Sequence, residues 1–319
     1  MAYRFKLKES LQDGVRRIAV EQISKALAAP HKGADRVAWV HETRKALKRT
    51  RSLLRCVRSG LGDQVFGEEN AALADIARQL SDLRDRDVLV GTINGLKGRC
   101  EKVDASLAWL AAELAASPPD GPSGGKAALR PAPAIRQAVK SLEKAQARLA
   151  GLEVTGELVE VVGAGLRDNQ RVGRQMLVSL ATDGSDENLH ELRKAVQTYQ
   201  RQQILILAAW PELQNVCIET ARVTAQMLGE AQDLAVLAAT AEAHQEVASA
   251  DAAKHGERIV AACRERQGII REVAIPMSAR LFALRPKAVE QQLRTNWEAA
   301  GTLTRAGSRK RGAPQPPPS

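Results

Sequence analysis

A stretch of this sequence occurs twice, and a chain that repeats itself folds each copy as one supersecondary unit and stacks the copies to bury a shared core. Val40-His41-Glu42-Thr43-Arg44-Lys45-Ala46-Leu47 returns as Leu189-His190-Glu191-Leu192-Arg193-Lys194-Ala195-Val196, an offset of 190 − 41 = 149 positions. A second segment, Leu80-Ser81-Asp82-Leu83-Arg84-Asp85-Arg86-Asp87-Val88-Leu89, is echoed at Leu228-Gly229-Glu230-Ala231-Gln232-Asp233-Leu234-Ala235-Val236-Leu237, offset by 228 − 80 = 148. One residue of slippage is what a loop of different length introduces, so the sequence reads as an internal duplication. The duplicated unit is helical. Hydrophobic residues make up 44% of the chain and aromatics only 3%, Ala, Leu, Arg and Glu are prominent, and β-branched runs are scarce, which favours helices over sheets. The expected class is all-α.

Periodicity places the helices. Leu11, Val15, Ile18, Ile23 and Leu27 recur at helical spacing until Pro30 and Gly33 break the pattern. Further helices are expected over about 35–58, 69–93 and 99–116, each running toward glycine or proline. Residues 3–9 alternate apolar and basic, which fits a short strand or an extended lead-in. Between Ser117 and Pro133, prolines without donors and unrestrained glycines rule out a regular helix or ladder. Helical spacing resumes at about 134–150, 154–181, 186–209, 212–243, 249–272 and 286–299, and the basic residues after Thr302 lack core-forming partners. The expected organisation is a first helical repeat at 1–116, a linker at 117–133, a second repeat at 134–301 and a disordered basic tail at 302–319.

Cys56, Cys100, Cys217 and Cys263 lie far apart with no CxxC or Cys/His cluster, which fits a reducing cytoplasm and signals neither a disulfide scaffold nor a zinc site. No signal-peptide run opens the sequence, and no stretch reaches the roughly 18 apolar residues of a membrane span. A soluble chain without a membrane partner is expected. Lys plus Arg number 47 against 37 Asp plus Glu, a net charge of +10 that calls for acidic partners.

That charge is not spread evenly. On the second helix Val40, Leu47, Leu54, Val57 and Leu61 mark an apolar face, whereas His41, Arg44, Lys48, Arg51, Arg55 and Arg58 follow at intervals of 3, 4, 3, 4 and 3. At about 100° per residue these six share an arc of roughly 100° opposite the core, with Lys45 and Arg49 just outside it. Stacked like charges destabilise a helix by a few tenths of a kcal/mol per pair. An anion that neutralises them removes that cost, and the stripe runs roughly 25 Å along the axis, which suits a linear anion with repeating charges. A further row, Arg167, Arg171 and Arg174, precedes the His190 helix and is placed to flank the same groove. Arg136, Lys140, Lys144 and Arg148, with Glu143 among them, read as a solvent face, and Arg84 and Arg86 as partners of Asp82, Asp85 and Asp87.

These residues carry a family resemblance. At the paired His-x-x-Arg motifs, at Leu83-Arg84-Asp85-Arg86-Asp87-Val88, and at the ending from Arg280 through Arg285 and Pro286 to Leu293 and Trp297, the sequence resembles the CHAD family, the conserved histidine α-helical domain. The resemblance implies two four-helix-bundle-like halves related by pseudo-twofold symmetry, with a basic cavity or surface between them that binds inorganic polyphosphate and an address at polyphosphate granules. Polyphosphate-metabolising or granule proteins are the further partners it suggests. The family pattern is matched by His41, Arg44, Lys48, Arg49 and Arg51, and with the charge rows read above the expected polyphosphate-binding set is His41, Arg44, Lys45, Lys48, Arg49, Arg51, Arg55, Arg58, Arg171, Arg174, His190, Arg193, Lys194 and Arg201. After His190 and Arg193 the stripe continues with Gln197, Gln200 and Ile204, so binding is expected to be lopsided toward the first repeat.

No catalytic, metal or cofactor site is expected. His41 and His190 lack a second ligand at i+3 or i+4, while a divalent ion wants three or four; their expected role is hydrogen bonding to an anion, or structural. His31, His244 and His255 read as surface residues. A kinase or phosphatase would need a phosphate loop, paired metal carboxylates or a nucleophile, and none is seen. Nonspecific binding of a nucleic-acid backbone is the alternative function, since the nine aromatic residues, with Trp210 and Trp297 read as core anchors, leave little for base stacking. A helical scaffold or metal-binding protein comes third.

Overall fold

The computed structural model describes residues 3–28, 36–80, 85–96, 101–116, 131–245 and 250–311. Twelve helices appear among them, and no strand: α1 Leu11–Ala28, α2 Arg36–Cys56, α3 Arg58–Leu61, α4 Asp63–Gln79, α5 Asp85–Leu96, α6 Glu101–Ala116, α7 Pro131–Ala150, α8 Leu158–Thr182, α9 Asp186–Leu205, α10 Pro211–Gln245, α11 Ala250–Leu281 and α12 Pro286–Arg311. The all-α expectation holds.

Local chemistry explains the starts. Ser10 Oγ accepts from the Asp13 amide at 3.1 Å ahead of α1, and Ser185 accepts from the Asn188 amide ahead of α9, whose first turn carries Asp186 and Glu187. Gly62, at φ 79°, adopts the left-handed conformation that turns α3 into α4.

Several boundaries move. The helix expected at 69–93 is two: α4 starts at Asp63, because the turn at Gly62 initiates it, and ends at Gln79, ahead of Ser81 and Asp82, residue types that favour caps over helix interiors. Pro131 and Pro133 sit in the first turn of α7, where their missing donors cost little. α11 continues through Pro276 to Leu281, held beyond the lost hydrogen bond by buried Ala274, Ser278 and Leu281. α12 runs to Arg311, into the segment expected to be a disordered tail: once Leu293 and Trp297 anchor the helix, each added residue costs little, and no proline intervenes before Pro314. Residues 3–9 form bends and a turn, not a strand; Tyr3 and Phe5 are buried, and the Phe5 amide donates to the Leu205 carbonyl at 2.9 Å. Trp210 is 46% exposed and no core anchor. The side chains of His31, Arg84, Arg86 and Cys100 and the segment 117–130 lie outside the described residues.

Two cores form. The first joins α1, α2, α4 and α7, and the second joins α5, α6, α10 and α11. The spatial division therefore does not follow the Pro/Gly segment: α5 and α6, which precede it, pack on the second core, while α7, which follows it, packs on the first. α8 and α9 bridge the two as an antiparallel pair. Leu158 to Leu166 and Leu205 enter the first core, and Leu180 and Leu189 to Val196 enter the second. Gly165 makes the bridge possible, because a Cβ there would overlap the Cys56 backbone where α8 crosses α2. No helix among the described residues is long and apolar enough to cross a membrane.

Candidate functional site

The crossing at Gly165 leaves a cleft of about 640 Å³ above it, walled by α2, α3 and α4 on one side and α9 on the other, with α8 as floor. Lys48, Arg51, Arg55 and Arg58 face it from one wall, Lys194 and Arg201 from the other. Asp168 and Glu191 are the only acids among its lining residues, so six cations face two anions.

The α2 wall is set by hydrophobic spacing on the opposite face: Leu47, Leu54 and Val57 are fully buried, which turns the cationic positions outward. Arg51 Nε donates to Asn70 Oδ1 on α4 at 2.9 Å. Arg58 donates from Nε to Asp63 Oδ1 at 2.8 Å and its guanidinium lies 5.0 Å from the Phe66 ring centre. Arg55 has no acceptor among the described residues. The residue is exposed, yet crowding by neighbouring protein, then the Arg58 charge, lowers its pKa. Arg51 is lowered by burial and by Arg55 and Arg78.

On the α9 wall, Arg201 reaches only the Gln197 side chain, at 3.3 Å. Burial lowers its pKa, Tyr3 acts in the opposite sense, and Arg49 and Arg55 add repulsion. Lys194 pairs with Glu191. The floor is tied to this wall by Asn169 donating to the Ala195 carbonyl at 3.2 Å and Gln202 to the Gly165 carbonyl at 2.9 Å. The result is a trough with guanidinium groups on both sides, Arg51 and Arg201 half-buried and Arg55 and Arg58 exposed.

The other expected site residues lie elsewhere. His41 is exposed and outside the cleft lining. Lys45 pairs with Glu42 at 3.4 Å. Arg44 turns toward α4, where Nη1 donates to the Ala77 carbonyl at 3.3 Å, and Arg49 packs its guanidinium 5.8 Å from the Tyr3 ring centre. Arg193 lies against Gly229 in a separate hollow with Glu230 and Asp233. His190 is half-buried, with Nδ1 lacking a partner among the described residues. Arg171 pairs with Asp168 at 2.9 Å, and Arg174 donates to the carbonyls of Phe282 and Ala283 at 3.0 Å. Arg167 pairs with Glu290 at 3.0 Å.

His244 and His255 are half-buried rather than on the surface. His244 Nδ1 lies 2.8 Å from the Thr240 carbonyl, and His255 stacks on Trp109 and meets Ser106 Oγ at 3.0 Å. Among the described residues no group of three or more His, Cys, Asp or Glu is placed to hold a metal ion. Phe66, Asn70, Asn169 and Thr198 line the cleft as well; they follow no charge pattern, and nothing in the sequence singled them out.

Comparison with known proteins gives two findings. The family model described as the CHAD domain matches residues 17–242. Among solved structures, the crystal structure of the CHAD domain from the plant Ricinus communis is similar with a TM-score of 0.54 at 17% identity, covering 89% of this chain and 96% of that chain. At that identity the likeness speaks for the all-α fold alone. No curated protein matches the chain.

Proposed function

The chain belongs to the CHAD family, and from that premise we propose that the cleft between α2 and α9 binds inorganic polyphosphate without catalysing a reaction on it. The observation that carries the proposal is the gathering of Lys48, Arg51, Arg55, Arg58, Lys194 and Arg201 around one trough, with Arg55 lacking any acceptor among the described residues. A thin chain with a charge at each unit enters such a trough and replaces repulsion among crowded cations by charge-assisted hydrogen bonds. Duplex nucleic acid carries its phosphates on the outside of a wide cylinder and reaches only the rim, which ranks it second.

Binding rather than turnover is the better fit, because both carboxylates of the cleft are engaged: Asp168 by Arg171 and Glu191 by Lys194. Any hydrolysis or synthesis would belong to a separate protein, and a cytoplasmic protein on polyphosphate granules, beside the enzymes that make or consume the polymer, is the setting that suits such a binder.

The test is competition. Labelled polyphosphate bound to the full chain is challenged with unlabelled polyphosphate or duplex DNA at matched phosphate concentration. Polyphosphate should displace far better, and affinity should fall steeply as salt rises, because each Lys or Arg contact releases counterions. Equal displacement by DNA, or an affinity indifferent to salt, overturns the proposal.

A further inference from the structure

A different face of α9 looks into a second cavity, of about 190 Å³, where α8, α9, α10, α11 and α12 meet. Its character is unlike the cleft. Leu166, Ile206 and Leu293 supply apolar wall, and the polar groups are mostly neutral: Gln170, Tyr199, Gln203, Gln214 and, toward α12, Asn296. Arg280 is the one charged residue in the lining, and it is exposed.

Gln203 and Gln214 are only 6% and 4% exposed, and the little surface they keep opens onto this cavity, where their carboxamides meet no hydrogen-bond partner among the described residues. Gln170 is fixed by donating Nε2 to the Leu284 carbonyl at 3.0 Å, which leaves its carbonyl oxygen to the cavity. Polar groups in folded proteins are nearly always paired with protein or with an ordered guest, so two carboxamides that open onto one small cavity and pair with nothing in the protein direct their hydrogen bonds at its contents.

The donor and acceptor pattern selects the class. A carboxamide presents an acceptor beside a donor. A simple anion offers only acceptors and a cation only donors, so neither satisfies both atoms. The edge of a nucleobase carries adjacent donors and acceptors, and glutamine pairs with such an edge through both atoms; the apolar walls suit the faces of its ring. The space equals about six waters at the liquid volume of about 30 Å³ each, enough for a base but not for a whole nucleotide, so the sugar and phosphate would lead out past the mouth. There Arg280 has no acidic partner among the described residues.

We infer that this cavity is a nucleotide site that takes the base of a nucleoside monophosphate between Gln203 and Gln214, with the phosphate on Arg280. The inference is independent of the polyphosphate reading, since none of these side chains lines the cleft.

Equilibrium titration of the full chain with AMP, GMP, CMP and UMP, and with ribose 5-phosphate as the baseless control, tests it. At least one monophosphate should bind, and ribose 5-phosphate should not at the same concentration. Gln203→Leu with Gln214→Leu keeps side-chain size, removes the carboxamides and should abolish binding; Asn296→Trp narrows the mouth from outside and decides the matter should the double variant fold poorly. Arg280→Ala should weaken the monophosphate at least about tenfold while leaving the matching nucleoside unchanged, and Arg55→Glu in the cleft should change neither. The inference is overturned if no monophosphate binds up to millimolar concentration, which leaves a cavity holding water only, if ribose 5-phosphate binds equally, or if Arg55→Glu removes binding, which would put the nucleotide in the cationic cleft.

Discussion

Helices α2 and α9 carry the same His-x-x-Arg signature and face each other across one cleft, but they are rolled differently toward it: of the equivalent positions only Lys48 and Gln197 line it on both. The α2 wall presents Lys48, Arg51 and Arg55, continued by Arg58 on α3; the α9 wall presents Lys194, Gln197, Thr198 and Arg201. At the 149-residue offset Arg201 corresponds to Ser52, which is 1% exposed, and Arg51 corresponds to Gln200, which does not line the cleft. A position that is core on one helix is therefore site on the other. Repetition in sequence transmits a helix and its apolar stripe; which polar positions become a binding wall depends on how the helix is rolled against its neighbours.

The two walls should differ most sharply under charge reversal. Arg51→Glu with Arg55→Glu replaces attraction by repulsion on the α2 wall and should weaken polyphosphate binding by at least about 2 kcal/mol at low salt, read by titration at fixed ionic strength. Intact binding would place the anion on another surface. Arg201→Gln tests the α9 wall and should cost about 1–1.5 kcal/mol, the worth of one charge-assisted contact. Its melting temperature should hold or rise, because a dehydrated guanidinium paired only with Gln197 is removed; a loss equal to that of the α2 pair would make the walls equivalent.

Smaller changes sharpen the contrast. Gln197→Lys adds a cation to the poorer wall and should tighten binding by about 0.5–1 kcal/mol, whereas the same change at Gln200, outside the cleft, should fall within about 0.3 kcal/mol, so a gain at Gln200 would return the α9 face to the one its sequence suggests. Least affected should be thiol chemistry. Burial pushes Cys56 up to about 12 and Cys263 to about 11, which keeps both protonated, and unreactive toward alkylation at pH 8 in the folded chain. Thiolate, and with it reactivity, rises only as pH climbs toward those values, so labelling of either at pH 8, read by mass spectrometry of the folded protein, would show a looser core.

Much of the fold is legible before any coordinates. Leu11, Val15, Ile18 and Ile23 are all buried in α1, as their spacing requires, and the α2 stripe from Lys48 to Arg58 reaches one cleft because its apolar residues leave it nowhere else to face. Other positions were not legible. Arg44 and Arg193 match any motif for anion contact, yet Arg44 lands beside the end of α4 and serves the carbonyl of Ala77, and Arg193 packs against Gly229 midway along α10 in a separate hollow. Phe66 and Asn70 join the site from α4, whose own sequence has no reason to mark them.

The sequence by itself determined that this chain is helical, where most helices begin and which faces are apolar, because periodicity, capping and proline act within a few residues. The tertiary structure alone decided that α5 and α6 pack on the second core and α7 on the first, that α8 crosses α2 at Gly165, and that Arg201 rather than Gln200 faces Arg55. These depend on contacts between residues more than a hundred positions apart, where packing of side-chain volumes sets the roll and approach of each helix and local propensity has no say.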